Sequence, residues 1–512
     1  ITNELGADIT MTGSKSVGVY MTNGGTITNK ASITANAGDS NIGIYNNGGS
    51  IDNSGDIKIG DSVIVDPLNP FANSYAVGLY GENVQGMKNT GNIEIGADAV
   101  GFYANKSGTE ALNTGNITSN SNKTIGIYLE GSAIRNTGDI TLSGDNSIGI
   151  VAARNSSVKN AGIITMNGNE SIGIYANANS KIVNENTGEI YINGDNSIGV
   201  QLSGGSTLEN YGLLQVDSGT IGSVQLVDED PAYTPPSIIN AGIIKVDEKF
   251  DLSGMNIVIK SDPASFRAPT IEEITVGGYA PNDINAGFLL TNTVSIIAPS
   301  FDFGDKPIGI DSNFTQGTNA RVYKFENVFD PMTQEGGPNT GEIAVKSGSL
   351  TFDAIPVTND SGKIDIWMEK INYDKFTQDA WYDGFAKNIE GSYLNATGEA
   401  LKFYDKLDLI TDVNDLRNDF SQLSGSMYAN ITQREQNIGE VFNNTLEILQ
   451  NSENNTKENV KINIIAGKGS TKEDTSGVES YDYETTGVLA LREVERTYRH
   501  KFGYSLGYTR TD

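Results

Sequence analysis

The chain has 512 residues, 59 of them glycine and none cysteine, with a formal charge of −29 and a pI near 4.4. Without cysteine there is no disulfide framework and no thiolate metal site, and without a basic stripe to displace counterions there is no nucleic-acid partner. The sequence holds no uninterrupted run of 18 apolar residues and opens with no signal peptide, which removes membrane-spanning helices from consideration. The acidic balance reads as a solvated surface, and the missing thiols suit a protein exported unfolded.

From Ile1 to Lys249 a block of about 24 residues recurs nine times. Each copy opens on an aliphatic-Gly-aliphatic triplet: Val17-Gly18-Val19, Ile42-Gly43-Ile44, Val77-Gly78-Leu79, Val100-Gly101-Phe102, Ile125-Gly126-Ile127, Ile148-Gly149-Ile150, Ile172-Gly173-Ile174, Ile198-Gly199-Val200 and Ile221-Gly222-Ser223. An Asn-x-Gly-x-Ile step follows, as in Asn53-Ser-Gly55-Asp-Ile57, Asn136-Thr-Gly138-Asp-Ile140 and Asn160-Ala-Gly162-Ile-Ile164. Such a period marks a solenoid, whose repeats bury their apolar faces only by stacking. The apolar runs are β-branched and four to six residues long, too short for helices. Each repeat is therefore one flattened coil of a right-handed parallel β-helix, with Ile42, Ile125, Ile148, Ile172 and Ile198 expected inside. Gly43, Gly126, Gly149, Gly173 and Gly199, with Asn136 and Asn160, form the expected structural core of the repeat. The Asn-x-Gly step is read as the corner, with left-handed backbone angles at Asn and Gly, and stacked asparagines should form an internal ladder. Tyr20, Tyr45, Tyr80, Tyr103, Tyr128 and Tyr175 share one register and should stack as a second ladder. Asp61 to Tyr75 carries the insert Asp66-Pro67-Leu68-Asn69-Pro70, which its prolines keep out of the sheets. Ile1 falls inside the pattern without a polar cap, so the chain reads as the carboxyl portion of something longer.

Residues 250–371 keep strand character but lose the period, as in Asn285-Ala-Gly287, Ile308-Gly-Ile310 and Asn339-Thr-Gly-Glu-Ile343, and are read as irregular coils and a cap. Residues 372–424 turn helical: Thr397 to Leu407 has helical spacing, and Thr411 is positioned to cap the next helix. Residues 425–456 read as a longer, mostly polar helix and a linker, carrying Met427, Ile431, Ile438, Val441, Leu446 and Leu449. Over 457–512 the period becomes two. Phe502, Tyr504, Leu506 and Tyr508 share one face of the last strand, opposite Gly503, Ser505 and Gly507, as in a lipid-facing strand of a transmembrane β-barrel. Three or four strands fit before Asp512, so only the start of a barrel is present. The fold class is all-β: parallel β-helix, short helical linker, truncated barrel.

Chemistry is sparse. Asp145 and Asp195 recur in Gly-Asp-Asn turns, and Asp39 in a Gly-Asp-Ser turn, which is turn chemistry and not a general-base pair. His500 is the one histidine, so no Ser/His/Asp set can be assembled. No catalytic residue, metal site or cofactor is expected, and the coils display no aromatic cluster suited to a glycan platform.

The run Asp419-Phe-Ser-Gln-Leu-Ser-Gly-Ser-Met-Tyr-Ala429 resembles the "LSGE-x-YA" segment ahead of the barrel in type V autotransporters of Gram-negative bacteria. Tyr481-Asp-Tyr-Glu-Thr-Thr-Gly-Val-Leu489 is similar to that family's "YDxxxxGxxxG" strand, and Phe502 to Arg510 to its "xxGxxxGYSxS" strand. Ser426 stands where the family has Glu, and Leu491 replaces the second strand glycine, so lumen contacts do not carry over. The repeats themselves resemble those of the large fusobacterial outer-membrane autotransporter adhesins. The resemblance implies a classical (type Va) passenger on the cell surface, anchored in the outer membrane after handling by the barrel assembly machinery, and binding receptors on host cells or partner bacteria. It also implies a pore-threading helix, in which Asn443-Asn444 is a weak candidate for self-cleavage. A β-helical polysaccharide-degrading enzyme and a self-associating autoaggregation protein are the alternatives.

Overall fold

The computed structural model describes residues 1–512 except 36–38, 67–68, 70–71, 218–223, 228–233, 253–255, 271–286, 292–293, 332–338, 340, 426–427, 454–456, 472–476, 479 and 498–499. The triplet Ile221 to Ser223, the insert prolines Pro67 and Pro70, Asn285, Ser426 and Met427 therefore lie outside the described residues. The chain forms two compact units, Ile1–Lys370 with Ala396–Leu409, and Ile371–Asn395 with Ile410–Asp512.

The first unit is a parallel β-helix. In a representative coil, Ile125–Glu130, Ala133–Asn136 and Ile140–Leu142 are three short strands. Each pairs in parallel, in register, with its equivalent one repeat on, in Ile148–Ala153, Ser157–Asn160 and Ile163–Met166. Repetition builds sheet C from the first type of strand, sheet A from the second and sheet B from the third, with 9, 13 and 15 strands among the described residues. Alternation sends Ile134 and Ile140 inward to full burial while Arg135 and Thr141 face out. A fully buried aliphatic side chain contributes about 1.5–3 kcal/mol, and with every coil adding several, the core grows along one axis.

The triplets pack differently from expectation. Ile42, Ile125, Ile148, Ile172 and Ile198 are only half-buried on the outer surface, whereas the residue after the glycine, Ile44, Ile127, Ile150, Ile174 or Val200, is wholly inside. The glycine and its successor are both buried, which breaks the period of two. A Cβ on Gly43 would meet the Gly78 carbonyl oxygen at 2.6 Å and Ile57 Cγ2 at 2.9 Å. The strand bends inward at this point, and only a residue without a side chain fits.

The described residues of the insert after Asp61 stay out of the ladders. Val63 and Ser74 form an isolated antiparallel bridge, and the Asn73 amide ties the loop by accepting from the Val65 and Asp66 backbone N–H groups and donating to the Asp66 carbonyl.

Beyond Val224–Val227 sheet C has no further strand among the described residues. Sheet A continues through Asn256–Ile259, Ile308–Ile310 and Val345–Ser347, and sheet B through Ser295–Ala298 and Val322–Pro331. Sheet B then turns antiparallel with Ile364–Lys370 and Phe352–Thr358. The final strands of residues 250–371 are antiparallel, and the interior widens from isoleucine to rings. Phe314 lies 4.9 Å from Tyr323 and 5.2 Å from Phe352, edge to face.

Four α-helices follow among the described residues: α1 (Asp383–Ser392), α2 (Glu399–Asp408), α3 (Val413–Leu423) and α4 (Ile431–Asn451). Residues 372–424 are not one junction, because α2 belongs to the β-helix unit. Asp405 accepts from Gly317 N at 3.0 Å, and Asp408 accepts from the Thr351 hydroxyl at 2.6 Å while lying 3.5 Å from the buried Lys370 ammonium. Such pinning needs partners far apart in sequence, which local spacing cannot reveal. The cap of α3 is Asp412 and not Thr411: its carboxylate accepts from Asn414 N and Asp415 N, at 2.7 and 3.2 Å. In the second unit Tyr373, Tyr393, Leu416 and Phe420 are fully buried. The chain ends in three antiparallel strands, Glu458–Thr471, Tyr481–Thr497 and His500–Thr511.

Candidate functional site

Along one corner of the β-helix runs a continuous amide ladder. Asn3, Asn29, Asn53, Asn89, Asn113, Asn136, Asn160, Asn184 and Asn210 each donate Nδ2–H to the Oδ1 of the next, the last receiver being Asn240, at 2.7–3.1 Å. From Asn29 onward the second Nδ2 proton goes to a carbonyl a few residues ahead, for Asn136 that of Gly138 at 2.9 Å. Asn136 and Asn160 have no exposed surface, so these amides are saturated structure and offer nothing to a ligand. The glycine two residues on does not adopt the expected left-handed angles. It is there because a Cβ on Gly138 would lie 2.2 Å from the Gly115 carbonyl oxygen of the neighbouring coil. Gly126, Gly149 and Gly173 face the next coil's carbonyl at 2.5–2.6 Å in the same sense, the last of these being that of Gly199.

The left-handed angles fall at a second corner, on Lys123, Asn146, Glu170 and Asn196. Here Asn122, Asp145, Asn169 and Asp195 stack, each side chain accepting from the backbone N–H of the next at 2.8–2.9 Å. Asp145 is engaged in this turn, and alternation with asparagine keeps its charge from facing another carboxylate. Sequence reasoning missed two further columns. Ser132, Ser156, Ser180 and Ser206 are buried and each hydroxyl accepts from the N–H of the preceding coil at 3.0–3.2 Å; Ser147, Ser171 and Ser197 do the same. Their signal was the serine ahead of the triplets that open at Ile148, Ile172 and Ile198, and the serine that follows Gly131, Asn155, Asn179 and Gly205.

Tyr20, Tyr45, Tyr80, Tyr103 and Tyr128 stack on the outer face of sheet C with ring centroids 4.7–5.2 Å apart. Val151 then interrupts the column before Tyr175. Desolvation, joined by the charges of Glu82 and Glu130, holds the hydroxyls of Tyr80, Tyr103 and Tyr128 above the ordinary tyrosine value. Tyr45 donates to Glu82 at 3.0 Å and Tyr103 to Glu130 at 3.2 Å. The ladder is lateral: Tyr20–Tyr45 and Tyr103–Tyr128 stack face to face, Tyr45–Tyr80 and Tyr80–Tyr103 meet edge to face, and the Tyr45 and Tyr103 hydroxyls are engaged.

The terminal sheet has two unlike faces. α4 packs on one, where Leu449, Ile465, Leu489 and Leu491 form a buried cluster with Val441, Phe442 and Leu446. Lys461 donates to the Leu449 and Ser452 carbonyls at 2.7 and 2.8 Å and pairs with Glu493 at 2.9 Å, placing a cation at the carboxyl end of α4, where the helix dipole favours it. Asn437 donates to the Tyr481 hydroxyl at 2.8 Å. Gly467 and Gly507 lie under the helix: a Cβ on them would strike Val441 and Phe442 at 2.8 and 2.7 Å. Leu491, the departure from the glycine pattern, fills this face instead. On the opposite face Val460, Ile462, Ile464, Val488, Phe502, Tyr504, Leu506 and Tyr508 are all exposed. They align across strands as Ile464–Val488–Tyr508 and Ile462–Ala490–Leu506. His500 starts the last strand, exposed and opposite Thr497. Asn443 and Asn444 are exposed within α4.

Two family models match. Residues 1–130 match the BigA third pectate lyase-like domain and residues 283–372 the BigA beta sandwich domain. The first spans the opening coils, and the second covers the segment in which sheet B turns antiparallel. Together they indicate a surface-exposed bacterial protein of the adhesin type. No curated protein and no solved structure matches the chain.

Proposed function

We propose that the chain is part of an autotransporter adhesin of a Gram-negative outer membrane, of the classical type and akin to the fusobacterial proteins its repeats resemble. In this reading the β-helix is a rigid, non-catalytic stalk that holds the adhesive surface away from the cell. About nine coils at roughly 4.8 Å give a reach on the order of 40 Å for the regular part. The terminal strands are the start of the membrane barrel, inserted by the barrel assembly machinery, with α4 in its lumen. The receptors lie on host cells or partner bacteria.

One observation carries the reading: the terminal sheet exposes a continuous apolar and aromatic face, Val460 to Ile464, Val488 and Phe502 to Tyr508, while its other face takes α4. Exposure of that area to water is unfavourable at roughly 25 cal/mol per Å², and a lipid surface relieves it. Against an enzyme stand the hydrogen-bonded roles of Asp145 and its stacked turn partners, which leave no paired general acid and base among them. The test is surface display of the gene product with Val460 to Asp512 deleted. The passenger should remain in the periplasm, protected from protease added to whole cells; a deletion product exposed on the surface overturns the anchor.

A further inference from the structure

The β-helix wall carries an open cavity of about 440 Å³ where the amide ladder stops, within the range of small-molecule sites. Its origin is a change of residue at one corner. Asn210, Asn240 and Ile259 are successive register partners, so Tyr211, Ala241 and Lys260 follow one another up the wall. After Lys260 the chain leaves the corner in a short turn, Pro263–Ser265, and the next described strand of sheet B is Phe288–Thr291. Ala241 leaves a notch between the tyrosine and the lysine, and Ser261, Asp262 and Asn313 wall it.

Two lining groups lack partners. Ser261 is 1 % exposed, yet its hydroxyl makes no hydrogen bond, and the same holds for the Oδ1 of Asn313, whose Nδ2 donates to the Ser261 carbonyl. Buried polar atoms are nearly always paired; the ladder asparagines and the serine columns of this solenoid are, while the Oδ1 atoms of Asn46, Asn105 and Asn177 share the unpaired state of the Ser261 hydroxyl and Asn313 Oδ1. Nearby, the Lys260 ammonium sits 5.8 Å from the Tyr211 ring centroid. Burial lowers the Lys260 pKa, but the Tyr211 hydroxyl, Asp311 and Glu209 outweigh it and keep the amine protonated.

We infer that this notch is a binding site for a short neutral saccharide. The Tyr211 ring offers an apolar face to sugar C–H groups. Asp262 and the Asn313 oxygen accept from hydroxyls, Lys260 donates, and the Ser261 hydroxyl does both, which matches the mixed donor and acceptor character of vicinal sugar hydroxyls. Acidic sugars and phosphates are disfavoured, because the one cation is surrounded by Glu209, Asp262 and Asp311. The inference deepens the adhesin reading and rests on it for its biological sense, but binding in solution tests the notch without the anchor, so the two can fail separately.

The experiment is calorimetric or saturation-transfer titration of the 512-residue chain with lactose, cellobiose and chitobiose, beside digalacturonate and sialyllactose. At least one neutral disaccharide should bind and the acidic ones should not. Tyr211→Ala should weaken binding about tenfold in Kd, about 1.4 kcal/mol, and Ala241→Trp should abolish it by filling the notch. Ser261→Ala is the discriminating variant: the hydroxyl makes no bond within the protein, so thermal stability should hold while affinity falls. Absence of binding to any neutral disaccharide, preference for the acidic sugars, or affinity unchanged in both Tyr211→Ala and Ser261→Ala overturns the assignment.

Discussion

Replacing Asn136 with alanine isolates what the amide ladder contributes. Asn136 accepts from Asn113 Nδ2 at 2.7 Å and donates to Asn160 Oδ1 at 3.0 Å and the Gly138 carbonyl at 2.9 Å, with no exposed surface. Alanine leaves two acceptors and one donor proton facing a dry interior. At about 1–3 kcal/mol for each of the three unsatisfied buried groups, the loss sums to roughly 3–9 kcal/mol. Asn240→Ala should lose less, because its register partner is Ile259 and its outgoing Nδ2–H reaches the Ser295 carbonyl only at 3.5 Å in place of a ladder asparagine. Asn122→Ala removes an exposed turn acceptor and should stay within about 0.5 kcal/mol. Because a solenoid opens locally, the assay is amide hydrogen exchange over 125–166 alongside urea denaturation. Loss of protection should centre on the coils either side of residue 136. Should Asn136→Ala and Asn122→Ala prove equal within error, the ladder is decoration and the reasoning fails.

Gly149→Ala should destabilise by about 1–3 kcal/mol, since its Cβ would lie 2.5 Å from the Gly173 carbonyl oxygen, whereas Gly384→Ala in α1, with nothing within 4 Å, should stabilise by up to about 1 kcal/mol; paired melting curves decide. Deleting Ser147 to Asn196 should bring Ile125–Glu130 into register with Ile198–Ser203, leaving a folded rod about 10 Å shorter, measurable by small-angle scattering, and a collapse of strand circular dichroism would contradict it. The Arg135 guanidinium, hydrogen-bonded across two coils, holds the Glu185 carboxyl below its ordinary value. That pair therefore stabilises above about pH 4.3 and its contribution is lost as pH falls through the lowered folded value; Glu185→Gln should flatten this acid limb of the stability curve. Tyr80, Tyr103 and Tyr128, raised by desolvation, favour the folded state below about pH 10 and cease to as pH rises through their folded values, so tyrosinate absorbance should appear late and together with loss of structure.

The nine triplets and the Asn-x-Gly steps by themselves determined the coil, its parallel stacking and the amide ladder, because in a repeat every residue meets its own equivalent one period away, and the period of two over 457–512 determined the two-faced terminal strands. Sequence period is then spatial contact. What it could not determine is which side of a bend a residue occupies: Ile42 and its equivalents face out because the following glycine lets the backbone turn in against the next carbonyl, an effect set by a neighbouring coil. The glycine of Asn-x-Gly was identified for the wrong reason on the same account, its backbone angle being ordinary and its space being the constraint. Past residue 249 the repeat ends and contacts join residues of unlike sequence. The docking of α2 through Asp405 and Asp408 and the notch at Tyr211, Lys260 and Ser261 depend on segments about 50 to 90 residues apart, and the antiparallel end of sheet B pairs Val322–Pro331 with Ile364–Lys370. No local period records such meetings, and only the tertiary structure decided them.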